Sequence, residues 1–227
     1  MAAIKKVVYE DKKFTLVGVL AAMDANWEGY RNIRKTLANV PKYGNDKDYV
    51  DLIAKEIVDY TEQKMNSYPS LYARQINGTL SQLFNTPLGS MVGATPDGRE
   101  VYAPLSDGMI PSQGCDTCGP TAIINSASKI NCEAMSLGMS HNFKYDPKFI
   151  DIPEGRESVI SLLKTASFVG NAQMQFNCID NKELLAAQAN PEEHKDLIIR
   201  VAGYSAHFVE LCKDVQDEII SRTVLNS

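Results

Sequence analysis

Apolar residues recur at intervals of three and four near the start of the chain. Leu16, Val19, Leu20, Met23, Trp27 and Tyr30 share one face, which predicts a helix over residues 11–37. Pro41 and Gly44 interrupt that pattern, and Asn45-Asp46 offers an N-cap for a second helix. Tyr49, Leu52, Ile53, Ile57 and Tyr60 line its apolar face as far as about Met65. From about residue 67 to 119 the periodicity vanishes. Gly78, Gly89, Gly93, Gly98, Gly108, Gly114 and Gly119 punctuate this stretch, and Met91, Val92, Val101, Leu105, Met109 and Ile110 are the residues that would pin it to a core. A long irregular segment in a compact domain is usually functional or disordered, and these anchors favour function. Gly119-Pro120-Thr121 opens a helix that runs through Lys129, with proline in its first turn. A helix over Gly155 to Ser167, a strand over Asn171 to Ile179 and a short helix over Asn181 to Ala189 follow. Leu197 to Val201 reads as a strand leading into a tight turn, Ala202-Gly203-Tyr204-Ser205. Phe208, Leu211, Val215, Ile219 and Ile220 mark a final amphipathic helix. With no internal repeat or clear linker, the simplest partition is a single domain over 1–227.

Composition narrows the class. The chain has 227 residues, 44% of them apolar and 22% charged, ordinary values for a globular protein with a substantial core. A net charge of −5 favours neither nucleic acid nor an anionic membrane as partner. No apolar run approaches the roughly 20 residues of a membrane span, and the N-terminus lacks the apolar stretch of a signal peptide. Five cysteines, an odd number without an export signal, predict reduced thiols and a cytoplasmic location.

Conventional searches for chemistry find little. His141, His194 and His207 are scattered, with no pair at metal-ligand spacing, so no metal site is expected. Cys115 and Cys118 form one C-x-x-C before the Gly119 helix, where either a redox pair or ordinary loop thiols fit. Cys132, Cys178 and Cys212 read as small buried hydrophobes. Gly93-Ala94-Thr95-Pro96-Asp97-Gly98-Arg99 lacks the Gly-Lys-Ser/Thr ending of a phosphate loop and reads as a turn cluster with an arginine.

Four ordered blocks carry a resemblance. They are Asn26-Trp27-Glu28-Gly29-Tyr30 with Pro41-Lys42-Tyr43-Gly44-Asn45-Asp46; Gly93 to Arg99 with Pro104-Leu105-Ser106-Asp107-Gly108; Gly114, Asp116 and Gly119-Pro120-Thr121-Ala122; and Arg200-Val201-Ala202-Gly203-Tyr204-Ser205-Ala206. The string resembles the C-terminal portion of the glycyl radical enzymes, the superfamily of pyruvate formate-lyase, and within it the dehydratase and decarboxylase branch. The resemblance implies an α/β fold. The chain would supply part of a barrel of two parallel five-stranded half-sheets, ten strands in all, with a C-terminal glycine radical loop and helix. Residues 1–68 would be a helical barrel segment, 69–130 a loop-rich segment and 190–227 the glycine radical region.

The same resemblance implies that Gly203 stores a radical, with Arg200, Val201, Ala202, Tyr204 and Ser205 as its loop neighbours. A backbone radical is stabilised when the amide nitrogen donates and the carbonyl withdraws, which needs a planar carbon that no Cβ crowds; only glycine offers one. No cofactor would be bound. The radical would be installed by a radical S-adenosylmethionine activase carrying a [4Fe–4S] cluster, in an anaerobic, oxygen-sensitive system. One departure stands out: the family's thiyl cysteine, in a Gly-Cys followed closely by Glu, is absent. Cys115 and Cys118 sit in the wrong block, and Cys132-Glu133 follows Asn131 and lies downstream. The expected partners are therefore the activase, an N-terminal polypeptide bearing the catalytic cysteine or a full-length enzyme, and a small-molecule substrate. A homodimer is compatible with the same reading. Alternatives are a spare part that rescues an oxygen-damaged enzyme, a pyruvate formate-lyase-like acetyltransferase fragment, a truncated gene product, and a binding module that kept only the fold. Phe208 to Cys212 and Ser140 to Lys144 lean towards an arylacetate decarboxylase.

Overall fold

The computed structural model describes residues 1–69, 85–131, 139–171 and 173–225; Gly78, Cys132 and Glu133 lie outside them. The N-terminal part is helical. α1 (Ala2–Ile4) continues as a π-helical turn over Lys5–Glu10, and α2 (Leu16–Asp24), α3 (Arg31–Ala38) and α4 (Asp48–Ser67) follow. Thr15 caps α2, its hydroxyl accepting from the Gly18 amide at 3.1 Å. The helix expected over 11–37 is thus two helices. Between them Asn26 and Trp27 take left-handed φ values of 47° and 70°, which non-glycine residues seldom adopt. Contacts far along the chain hold them there. The Trp27 indole donates to the Arg99 carbonyl at 3.0 Å, and the Asn26 side-chain Oδ1 accepts from the Val101 amide at 2.9 Å.

Asn45 also departs from expectation. Lys47 precedes α4 without a side-chain cap, while buried Asn45 turns away to the loop before the next long helix. It accepts from the Thr117 and Cys118 amides at 2.9 and 3.1 Å and donates to the Cys115 carbonyl at 2.7 Å. The face of α4 that packs inward carries Asp51 and Val58. Leu52, Ile57 and Tyr60, expected on the buried face, are about half exposed. Asp51 meets Lys129, which also binds Asp46 and Asp48, all at 2.7–2.9 Å. Burial alone would lower the Lys129 pKa, but the three carboxylates outweigh it and hold the ammonium above its ordinary value.

After α5 (Asn85–Gly89) the chain is irregular up to α6 (Gly119–Ser128), as the glycine density implied. Arg99 staples this stretch by donating to the carbonyls of Gly89, Gly93 and Ala103. Gly108 (φ 61°) lies so close to the next strand that a Cβ would come within 2.6 Å of the Ser140 carbonyl oxygen.

That strand, β1 (Ser140–Tyr145), is the centre of a three-stranded parallel sheet. β2 (Gln173–Cys178) flanks it on one side, in the register Ser140↔Gln173 to Tyr145↔Cys178, and β5 (Val224–Leu225) on the other. α7 (Pro147–Asp151) and α8 (Pro153–Phe168) cross over from β1 to β2, burying Phe143, Tyr145, Leu162 and Ala166 with Ile123 and Ile124 of α6. Periodicity missed β1 because Ser140, His141 and Lys144 are polar yet buried. The Lys144 ammonium donates to Asn181 and to the Ile219 and Ile220 carbonyls at 3.0 and 3.2 Å. Burial, with nearby Arg222, pulls it down to about 8.

α9 (Asn181–Ala189) leads to the antiparallel pair β3 (Ile198–Arg200) and β4 (Ser205–His207). The closing helix differs from expectation. Phe208–Glu210 is a 3-10 turn, and only α10 (Lys213–Ser221) is α-helical. Ile179, Leu184, Ala187, Ile199, Val201, Phe208 and Ile219 form a compact core beneath this hairpin.

Candidate functional site around Gly203

The expected tight turn is the tip of the β3–β4 hairpin. Gly203 has φ 74°, a conformation that glycine adopts without steric cost. The Val201 amide donates across the turn to the Tyr204 carbonyl at 2.9 Å. Val201 and Ala202 are buried, Tyr204 half-buried, and Gly203 and Ser205 exposed.

Arg200 folds back over the turn. Its Nη2 donates to the Gly203 carbonyl at 3.0 Å, its Nη1 reaches Ser205 Oγ at 3.4 Å, and its Nε donates to Gln175 Oε1 at 3.0 Å. That same Gln175 oxygen accepts the Gly203 amide at 2.9 Å. Both peptide groups of Gly203 are therefore engaged, the amide by a neutral acceptor and the carbonyl by a cation. Arg200, Gly203 and Ser205, singled out from sequence, meet in one network. Val201, Ala202 and Tyr204 anchor the turn in the core, and burial raises the pKa of the Tyr204 hydroxyl.

Three residues of the network went unnoticed in the sequence. Gln175 and Asn177 lie two apart on β2 and so face the same side. Asn177 pairs with the Arg200 backbone, accepting from its amide at 2.8 Å and donating to its carbonyl at 2.5 Å. Arg222 holds the stem from the other side, donating to the Val201 carbonyl at 2.9 Å while buried against Glu218 (2.9 Å) and Asp107 (3.4 Å). The available signal was the strict alternation of Gln173, Gln175 and Asn177 with Met174, Phe176 and Cys178 along the strand.

The thiols stand apart. Among the described residues no cysteine hydrogen-bonds to the hairpin. Cys115 is half-buried near Lys42 and Asp97, and burial pushes its thiol upward; Cys118 is exposed at the start of α6. Cys178 and Cys212 are exposed, not the buried hydrophobes expected. The His207 Nδ1 is buried and without a hydrogen-bond partner among the described residues. Among those residues there is also no cluster of three His, Cys, Asp or Glu placed to hold a metal, and no helix long and apolar enough to cross a membrane.

Two family models match successive parts of the chain: "Pyruvate formate lyase-like" over residues 1–89 and "Glycine radical" over residues 105–209. An isethionate sulfite-lyase from Oleidesulfovibrio alaskensis is 39% identical over 98% of the chain, and an indoleacetate decarboxylase from Tractidigestivibacter scatoligenes is 35% identical over 98%. The solved B12-independent glycerol dehydratase from Clostridium butyricum superposes over the whole chain with a TM-score of 0.95 at 39% identity. The chain spans only 27%, 28% and 29% of these three proteins, less than a third of each. The parallel sheet and its helices are thus a segment of the pyruvate formate-lyase-like barrel. This chain belongs to the glycyl radical enzymes, and it corresponds to their C-terminal, glycine-radical portion.

Proposed function

We propose that this chain is the radical-bearing portion of a glycyl radical lyase, with the radical stored on the α-carbon of Gly203. The observation that supports this most directly is the pair of hydrogen bonds at that residue. Its amide is held by Gln175 and its carbonyl by the Arg200 guanidinium, while the residue itself stays exposed at a hairpin tip. A radical S-adenosylmethionine activase would remove one α-hydrogen from Gly203. The resulting radical would take a hydrogen atom from a cysteine S–H elsewhere in the assembled enzyme, restoring the glycine and leaving a thiyl radical. That thiyl radical would abstract hydrogen from a small-molecule substrate, whose fragmentation is the lyase step. On completion the hydrogen returns and the radical goes back to Gly203.

The thiyl cysteine belongs, in this reading, to the remainder of the enzyme. The exposed Leu52, Ile57 and Tyr60 of α4, together with Val17 and Leu20 of α2, are the surface that remainder would cover. The same uncovered faces favour an integral component over a rescue part. The bond cleaved stays at the level of a radical lyase, because the relatives act on a sulfonate, an arylacetate and a polyol. The segment Ser140 to Lys144, which leaned towards an arylacetate, is core strand, with His141 and Lys144 engaged in interior hydrogen bonds.

Anaerobic activation should give a doublet electron paramagnetic resonance signal that collapses when glycine is deuterated at the α-carbon. Persistence of the signal in Gly203→Ala would refute the assignment.

A further inference from the structure

Gln175 is a barrel-strand residue whose side chain is bonded at both ends. Its Oε1 accepts both the Gly203 amide (2.9 Å) and Arg200 Nε (3.0 Å), and its Nε2 donates to Ser140 Oγ on the neighbouring strand at 3.1 Å. The residue is buried, and Ser140 is almost completely so, at 1% exposure. The three bonds use the amide in one orientation only, because a flipped amide would set N–H groups against the Gly203 amide and the guanidinium. The donor-only Gly203 amide and Arg200 guanidinium thereby fix which end of Gln175 meets Gly203, and Ser140 anchors the opposite end.

We propose that Gln175, anchored on the barrel strand by Ser140, tunes the radical electronically as well as holding the hairpin. The inference rests on the reading that Gly203 carries the radical. A radical at that carbon is shared with the nitrogen lone pair on one side and the carbonyl on the other. An acceptor on the N–H raises electron density at nitrogen and makes it a better donor. A cation on the carbonyl oxygen makes that group a better acceptor. Gln175 supplies the first effect and Arg200 the second, and the shared Oε1–Nε bond couples them. Spin therefore leaves the α-carbon for the flanking peptide groups, and the stored radical is less eager to take a hydrogen atom. Asn177 is the natural control. It grips the same hairpin through the Arg200 backbone but touches neither peptide group of Gly203.

The test compares the activated 227-residue chain with Gln175→Leu, Gln175→Glu, Ser140→Ala and Asn177→Ala. Two quantities are read: the α-hydrogen splitting of the doublet and the rate at which a small thiol quenches it. Gln175→Leu should widen the splitting and raise the quench rate about 5-fold, the size of effect expected from one lost hydrogen bond. Gln175→Glu keeps an acceptor and should restore both towards the parent values. Ser140→Ala, a mild change that keeps the fold accessible if the leucine variant does not fold, should shift both in the same direction by less. Asn177→Ala should lower thermal stability without moving the splitting. Splitting and quench rate unchanged in both Gln175→Leu and Ser140→Ala, or changed equally in Asn177→Ala, would overturn the proposal. Loss of the doublet from the parent chain itself would instead refute radical storage at Gly203.

Discussion

The two ends of the chain solve burial differently. In the C-terminal part the hairpin and α10 close over their own core: Leu184, Ala187 and Phe208 are fully buried, and the polar groups at the turn find partners on β2. In the N-terminal part the helices bury one side, through Val19, Ala22 and Leu37, yet leave large apolar residues facing out. Val17 is 75% exposed and Tyr60 59%. The difference teaches that the Gly203 hairpin carries its own scaffold, whereas the helical part has surface suited to cover by more protein.

That comparison can be broken in several ways. The largest effect should come from oxygen. A carbon-centred radical at Gly203 combines with dioxygen and the chain is cut there, releasing a piece that begins near Tyr204. The 24 residues after Gly203 include Phe208 and Ile219. Each such buried side chain contributes roughly 1.5–3 kcal/mol, so the C-terminal core should lose cooperative unfolding while the helical part keeps its signal. Intact mass and thermal melts read this, and unactivated protein or Gly203→Ala should survive air uncut.

Next, Arg222→Met leaves Glu218, buried beside it, without its guanidinium and removes the donor to Val201. The expected loss is about 3–5 kcal/mol, read as a drop in the urea midpoint. Leu184→Ala should cost about 2–5 kcal/mol, since its side chain has no exposure and the site is enclosed on all sides. Acid should act through His141, whose imidazole burial holds below its ordinary value. Above about pH 6.5 the ring is neutral in both states. Below that the unfolded chain binds a proton that the folded chain refuses, so stability falls by at most about 1.4 kcal/mol per pH unit. The slope of urea midpoint against pH should flatten in His141→Gln. The smallest effect should be Leu52→Ser on the exposed face of α4, within about 0.5 kcal/mol for this chain alone. A loss like that of Leu184→Ala would mean that the helical part is as self-contained as the hairpin.

Much of the fold was legible from local pattern. The Gly119-Pro120 helix start, the Asn181–Ala189 helix and the strands around Gln175 and Ile199 follow from capping, periodicity and alternation, which act within a few residues. The turn at Gly203 was legible from the strand that leads into it, and it was the likeness of Arg200 to Ala206 to the glycyl radical enzymes that singled the glycine out. Its setting was not legible. Asn26 and Trp27 break a helix that periodicity would extend, because their partners lie 75 and 72 residues away. Asn45 caps a distant loop, not its own helix. Ser140 and Lys144 are polar yet buried, because Gln175, Asn181 and the end of α10 satisfy them. The sequence by itself determined most of the elements and the tight turn at Gly203, since both depend on short-range sterics. Tertiary structure alone decided that Gln175, Asn177 and Arg222 join Arg200 around that glycine, since a buried hydrogen bond needs both partners in place and these three come from other elements of the chain.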